Sequence, residues 1–259
     1  MSRAVAIIAV LIGLAWPLHA ETTPPEKIVA GLSQNRVSIT ANFDGSEILI
    51  YGAVKRDSPT PSDTTLDMII TVEGPSVPLV IRRKERVAGI WINGAAVRID
   101  SAPSFYTVAT SGPLATILSE TDDLRNKITI PQVIRAVGIS AEASNAPDFV
   151  AALQRIRLQN DSYRIAENSV QLVEETLFRT DVVLPANLTE GNYRVRMFLL
   201  RGGKVVDTQE RLIGVRKAGL ERFLFNLAHE RPFLYGVISL VMAAVAGWAA
   251  SAAFAFIRR

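Results

Sequence analysis

The chain has 259 residues, no cysteine, two histidines and a formal net charge of +3. Without cysteine, disulfides, thiol catalysis, iron–sulfur clusters and thiolate zinc sites are excluded, and His19 and His229 are too far apart for an HExxH motif. A charge this nearly balanced lacks the concentrated basic footprint that a nucleic-acid partner requires, so none is expected.

The chain opens with Arg3 and an apolar run from Ala4 to Trp16, followed by Pro17-Leu18-His19-Ala20 and the polar Glu21-Thr22-Thr23. A basic tip, an apolar core too short to span a bilayer, and a small residue before a polar stretch predict a signal peptide over 1–20, cut after Ala20. Leu18 departs from the small residue preferred two positions before such a cut, and the alternative is an uncleaved anchor. Removal takes away Arg3, His19 and no acid, so the net charge falls to +2 and His229 is the one histidine left. Ser-His-Asp chemistry in the soluble part and multi-histidine metal sites go with it. Residues 21–35 read as an N-terminal linker.

Residues 36–216 form the expected β-rich domain. Val37–Asn42, Glu47–Val54, Leu66–Glu73 and Val77–Ile81 are rich in β-branched residues, with Asp44-Gly45, a Ser/Pro/Asp-rich loop at Ser58–Asp63 and Gly74-Pro75 between them. Gly89–Ile92 and Ala95–Ile99 flank Asn93-Gly94, which predicts a type I′ hairpin there because both central residues need positive φ. Phe105–Thr110 closes this block. The stretch 113–160 changes to a helical insertion, with Phe149, Leu153, Ile156 and Leu158 at helical spacing, Asp148 as a cap, and a shorter turn at Pro131–Val137. Strands return at Val170–Thr176, Phe178–Leu184, Tyr193–Leu200 and Val205–Val215, the last two joined by a turn at Arg201–Lys204.

Strands at this spacing predict antiparallel pairing, and the fold class is mainly β: one or two immunoglobulin-like sandwiches with a helical insertion, plus one C-terminal transmembrane helix. Along Tyr193–Leu199 the apolar Tyr193, Val195, Met197 and Leu199 alternate with Arg194 and Arg196. Tyr193, just after Gly191-Asn192 at the head of that strand, fits the tyrosine corner of such sandwiches, where the hydroxyl ties back to upstream backbone.

Beyond the domain, 217–232 reads as an amphipathic juxtamembrane helix: Leu220, Phe223, Leu224 and Leu227 share helical spacing with Glu221, Arg222 and Asn226 between them, and Pro232 redirects the chain. His229 stands at its end as an interfacial residue. Phe233–Ile257 carries no charge and, at about 1.5 Å per residue, reaches about 37 Å, enough for a ~30 Å hydrocarbon core. Arg258-Arg259 form a short tail, cytoplasmic if the signal peptide exports the domain. Within the span, Ala243, Gly247 and Ser251 recur every four residues and form a candidate helix-packing face for self-association or docking.

Candidate sites in the soluble part are sparse. Arg82, Arg83 and Arg86, in the run Arg82-Arg83-Lys84-Glu85-Arg86 between two strands, are candidate anion contacts, since guanidinium presents paired donors to oxyanions or lipid head groups; the alternative is a solvated loop whose charges discourage edge pairing. Trp91, Phe105 and Tyr106 line either a pocket or the core. Asp122-Asp123 and Glu174-Glu175 are adjacent pairs, and neighbours on a strand point to opposite faces, so Glu174 and Glu175 are not expected to share a site. No catalytic constellation, cofactor or metal site is expected.

The order Phe43–Val54, Val87–Gly94 (VAGIWING), Ala102–Leu114 (APSFYTVATSGPL), Leu188–Leu199 (LTEGNYRVRMFL) and the anchor resembles an alphaproteobacterial family of transmembrane proteins of unknown function. The resemblance covers nearly all of the mature chain. It implies a single-pass protein of the bacterial inner membrane with its large domain in the periplasm, and it implies no activity or catalytic residues. By gene association it points to multispan transporters of the sulfite-exporter permease type as partners. The expected function is a non-enzymatic accessory or scaffold subunit of a membrane transport complex; the alternative is an envelope binding module for a small anion or other ligand.

Overall fold

Alternation of buried and exposed residues along a strand reports how many of its faces are covered. Along β10 (Leu177–Leu184) every second residue is buried, so one face meets a core and the other meets solvent. Along β4 (Leu66–Glu73) nearly every residue is buried, as it is over Met197–Leu200 of β11 (Gly191–Arg201), so these strands are covered on both sides. The computed structural model describes residues 26–40, 42–56, 65–136, 146–217 and 220–257. The expected signal peptide, the start of the linker, the Ser58–Asp63 loop and Arg258-Arg259 lie outside the described residues.

Among the described residues the first sheet has the antiparallel order β1-β3-β10-β9, with β1 at Lys27–Leu32, β3 at Ser46–Lys55 and β9 at Gln171–Val173. The second has the order β2-β12-β11-β4-β7-β8, with β2 at Arg36–Ile39, β7 at Tyr106–Thr110, β8 at Tyr163–Ala166 and β12 at Lys204–Lys217. Its outer pairs, β2 with β12 and β7 with β8, are parallel. Between the sheets, Ile48, Ile50, Phe178 and Val182 meet Met68, Ile70, Val195, Met197 and Ile213 in one core. At about 1.5–3 kcal/mol for each large apolar side chain fully buried, this interface is the main driving force of the domain. The described strands therefore build one sandwich rather than two.

A second core lies on the far face of the six-stranded sheet. There Ile69, Phe198, Leu200, Tyr106 and Tyr163 are covered by Ile117, Ile128, Ile130, Phe149 and Leu153 from the helical insertion and by Val97 and Ile99 from a two-stranded ribbon. The insertion comprises α1 (Leu114–Ile117), α2 (Glu120–Asn126), α3 (Ile130–Val133) and α4 (Ala146–Gln159); the ribbon pairs β5 (Ser76–Val87) with β6 (Ile90–Pro103). The anticipated β-rich class with a helical insertion and one C-terminal apolar helix is what the molecule has. Tyr193 behaves as its position predicts: it is fully buried and its hydroxyl donates to the Thr189 carbonyl at 3.0 Å.

Several local expectations are corrected. The linker 21–35 contains β1, because Ile28 reaches the core while its amide donates to Asp207 at 2.7 Å. Asn93-Gly94 is no turn. The hairpin turns one step earlier at Ala88 and Gly89 (φ 49° and 86°), the two positive angles a type I′ turn requires. Gly94 instead lies at a register shift where Arg82 opposes Ala96 and Lys84 opposes Asn93, and a Cβ there would fall 2.4 Å from the Glu85 carboxyl carbon. Consequently β5 runs on through Arg82–Arg86, which are strand residues rather than a loop. Asp148 sits inside the first turn of α4 and not ahead of it. Glu174 and Glu175 occupy the β9–β10 turn with φ near 50°, off the strand on which alternation would apply.

The end of the sandwich away from the anchor is held by ions. Glu26, just before β1, is nearly buried; it accepts from Arg56 Nε at 2.8 Å and from Arg201 Nε and Nη2 at 3.0 and 2.7 Å. Arg56 follows β3 and also donates to the Glu175 carbonyl, so one carboxylate joins β1, the β3 exit, the β9–β10 turn and β11 of the opposite sheet. Burial pushes the Glu26 pKa up, but the Arg201 and Arg56 hydrogen bonds and charges outweigh it and hold the group below its ordinary 4.5.

A depressed carboxyl pKa contributes stability that is present above the unfolded value and lost as pH falls through the folded one. Glu26→Gln is therefore expected to lower stability near neutral pH by about 3 kcal/mol, roughly 6–12 °C in Tm. The gap from the native chain should close as pH falls from 4.5 through the lowered Glu26 pKa, read by thermal unfolding across pH. The buried phenols act at the other extreme. Burial pushes Tyr106 and Tyr163 up to about 12, so the stability they carry is whole below pH 10 and lost between pH 10 and 12. Tyr106→Phe with Tyr163→Phe should flatten that alkaline fall in Tm.

Candidate functional site: a cationic cleft and an exposed ribbon

The alternation that buries Tyr193, Val195 and Met197 in the first core turns Arg194 and Arg196 to the other face of β11, where Phe198 and Leu200 lie under the second layer. That layer stops short of the two arginines. The gap is an open cleft of about 840 Å³ lined by Arg125, Lys127, Arg135, Arg194, Arg196 and one carboxylate, Glu73. It lies toward the end of the sheet at which β12 leads on to the C-terminal helices, since Gly191 of β11 opposes Val215.

Each wall is set by local chemistry. Ser119 caps α2, accepting from the Asp122 amide at 3.3 Å and donating to its carboxylate at 2.9 Å. Lys127 closes the helix in a left-handed conformation, φ 52°. Asp123 then accepts from the amides of Ile128 and Thr129 at 3.1 and 2.8 Å and from the Thr129 hydroxyl at 2.7 Å, fixing the α2–α3 link. This places the Asn126 and Lys127 carbonyls over the sheet, where Arg196 Nη1 and Nη2 donate to them at 2.7 and 2.9 Å. The Arg196 guanidinium also lies 5.1 Å from the Phe198 ring centroid. Its Nε is buried and has no acceptor among the described residues. Arg194 donates to Glu73 at 2.9 Å across the β11–β4 ladder.

The anticipated anion contacts stand elsewhere. Arg82, Arg83 and Arg86 are exposed on β5, with Arg83 tied to Glu85 at 2.9 Å, and none of them lines the cleft. Of the aromatic run, Phe105 and Tyr106 are core residues, the Tyr106 hydroxyl donating to the Ile128 carbonyl at 2.7 Å. Trp91 parts from them: at the ribbon end it is 66% exposed beside Ile90 at 65%. Asp122 and Asp123 build α2 and its exit rather than a shared acidic site. Among the described residues no group of three or more acidic or histidine side chains converges in a metal-binding arrangement. Sequence reasoning passed over the cleft because Arg194 and Arg196 alternate with apolar residues as any solvated face would. The available signal was the switch on the same face from arginine to Phe198 and Leu200, which marks where cover begins.

Below the domain, α5 (Leu220–Glu230) and α6 (Pro232–Ile257) follow. Pro232 lacks an amide hydrogen and separates them, while the Arg231 amide still reaches the Leu227 carbonyl at 3.1 Å. His229 stacks on Phe225 with ring centroids 4.1 Å apart. Pro232–Ser251 has mean hydropathy 1.9 and none of it is buried; among the described residues it is the one helix long and apolar enough to cross a membrane. Ala243, Gly247 and Ser251 lie exposed along it, and a Cβ on Gly247 would meet nothing within 4 Å.

Residues 27–255, from the first strand into α6, match the family described as "Putative transmembrane protein (Alph_Pro_TM)". The chain belongs to this family. Family membership and the bare apolar helix together make it a membrane protein with a single C-terminal anchor among the described residues. No curated protein matches it. Among solved structures it is similar to Spo0M, a sporulation control protein from Bacillus subtilis, at 11% identity over 75% of this chain and 50% of that one, with a TM-score of 0.27. The match spans half the length of that protein.

The two basic groups should separate by mutation. Arg196→Ala strips two carbonyls of their donor and is expected to cost about 1–3 kcal/mol. Arg82→Ala with Arg86→Ala, on exposed strand positions, should change stability by no more than about 0.5 kcal/mol each. Thermal unfolding of the detergent-solubilised chain reads both.

Proposed function

We propose that this protein is a non-enzymatic accessory or scaffold subunit of a membrane transport complex, held in the bacterial inner membrane by α6 with its β-domain in the periplasm. The observation that carries the reading is the pairing of a bare apolar span with a domain that leaves a second apolar element uncovered, the ribbon end formed by Val87, Ile90, Trp91 and Ile92. Monomeric soluble domains rarely expose apolar side chains contiguously unless something docks there, and an anchored domain meets membrane-embedded partners at high effective concentration. Ala243, Gly247 and Ser251 allow close helix approach within the bilayer. The periplasmic orientation rests on the leader-like segment 1–20, and the partner class, a multispan permease of the sulfite-exporter type, on the family resemblance. The absence of cysteine and the scarcity of histidine favour a role without chemistry.

In-membrane crosslinking and gentle-detergent purification are expected to recover the chain with a multispan protein in fixed ratio. Trp91→Ala or Gly247→Leu should weaken that recovery without lowering Tm. Recovery of a lone monomer from crosslinked membranes overturns the reading, as would turnover in a broad hydrolase screen.

A further inference from the structure

The cleft between β11 and the α2–α3 link is built unlike an ordinary solvated face. Five cationic side chains surround it, and Glu73, the one carboxylate among them, is already paired with Arg194. The side chains of Lys127 and Arg135 form no hydrogen bond or ion pair among the described residues. Like charges gathered around one opening repel, and an anion seated among them removes that cost. Arg196 is held in place before any ligand arrives, by two backbone carbonyls and the Phe198 ring. A fixed guanidinium loses little side-chain entropy on binding, and its planar donors suit tetrahedral oxyanions.

The opening is also larger than a bare ion needs. Its volume of about 840 Å³ is in the range of small-molecule sites, and Val133, Ile134 and Ala136 give it an apolar wall. We propose that this cleft binds a phosphate-type oxyanion carried on a small organic group, the cations holding the phosphate and the apolar wall the organic part. The same chemistry is offered by a soluble phosphomonoester and by the phosphodiester head group of an anionic lipid. The inference stands apart from the accessory reading, because it concerns the cleft and uses neither the ribbon nor the α6 face.

The test uses the full chain in nanodiscs of phosphatidylcholine at fixed ionic strength, with Tm followed as glycerol phosphate, inorganic phosphate or chloride is added. A parallel preparation replaces part of the lipid with phosphatidylglycerol. Saturable stabilisation by glycerol phosphate in the neutral disc identifies a soluble ligand; a higher Tm confined to the phosphatidylglycerol disc identifies the lipid. Lys127→Asn with Arg135→Ala should weaken either response at least tenfold while leaving the ligand-free Tm unchanged or raised. Both side chains are exposed outside the cores, and Asn accepts the left-handed backbone at 127. If that pair does not fold, Arg135→Ala alone serves, with a smaller loss. Arg82→Ala with Arg86→Ala should retain the full response. No response to either phosphate source overturns the proposal, as does an equal response to chloride or a response unchanged in the cleft variant. Equal affinity for inorganic phosphate and glycerol phosphate would overturn the part that assigns the organic group to the apolar wall.

Discussion

Burial of the central strands of the six-stranded sheet on both faces is the constraint on which the rest of this molecule depends. Strands β4 and β11 place Met68, Ile70, Val195 and Met197 toward one core and Ile69, Phe198 and Leu200 toward another. A simple two-layer sandwich would leave the second set in water. The helical insertion and the base of the β5–β6 ribbon are therefore structural necessities of this sheet, and each enters the chain beside a strand it covers. Tyr106 and Tyr163 sit at the seam, edge to face at 6.3 Å, and both hydroxyls donate to backbone carbonyls, so neither buried phenol is left without a partner.

The cleft follows from the same constraint. Cover over the sheet runs out between Phe198 and Arg196, and the residue types on that face change with it. Arginine can line such a boundary because its stem packs on apolar neighbours while its head reaches carbonyls or solvent. The α2–α3 link, stiffened by Asp123, supplies those carbonyls, so the edge of a structural layer becomes a site with fixed donors. The ribbon shows the converse case. Its base shares the second core, whereas its far end has outrun any layer that could cover Trp91 and Ile90.

The sequence made layers easier to read than turns. The strand runs read from the sequence match β3, β10, β11 and β12 to within a residue or two, and along β11 the period-two alternation is the one imposed by the core. Tyr193 was legible for the same reason, one aromatic at a strand entrance with a single hydroxyl to satisfy. Asn93-Gly94 misled because a glycine that lets backbone pass close to Glu85 at a register shift carries the same letters as one in a hairpin turn. β1 was hidden because its contribution rests on Glu26, and a carboxylate bound by Arg56 and Arg201 has partners 30 and 175 residues away. The cleft was unreadable for a related reason, since Arg125, Lys127, Arg135, Arg194 and Arg196 come together only through packing of the insertion on the sheet.

The route by which the domain joins its anchor has a mechanical meaning. The chain leaves through Lys217, the last residue of β12, a 14-residue strand laddered to β11 along its length and to β2 at its exit. Inter-strand hydrogen bonds lie across the strand axis. Tension arriving through the anchor and directed along β12 would load many of them in shear at once instead of peeling them singly. The strand that tethers the domain is thus also the one placed to resist traction arriving through its anchor.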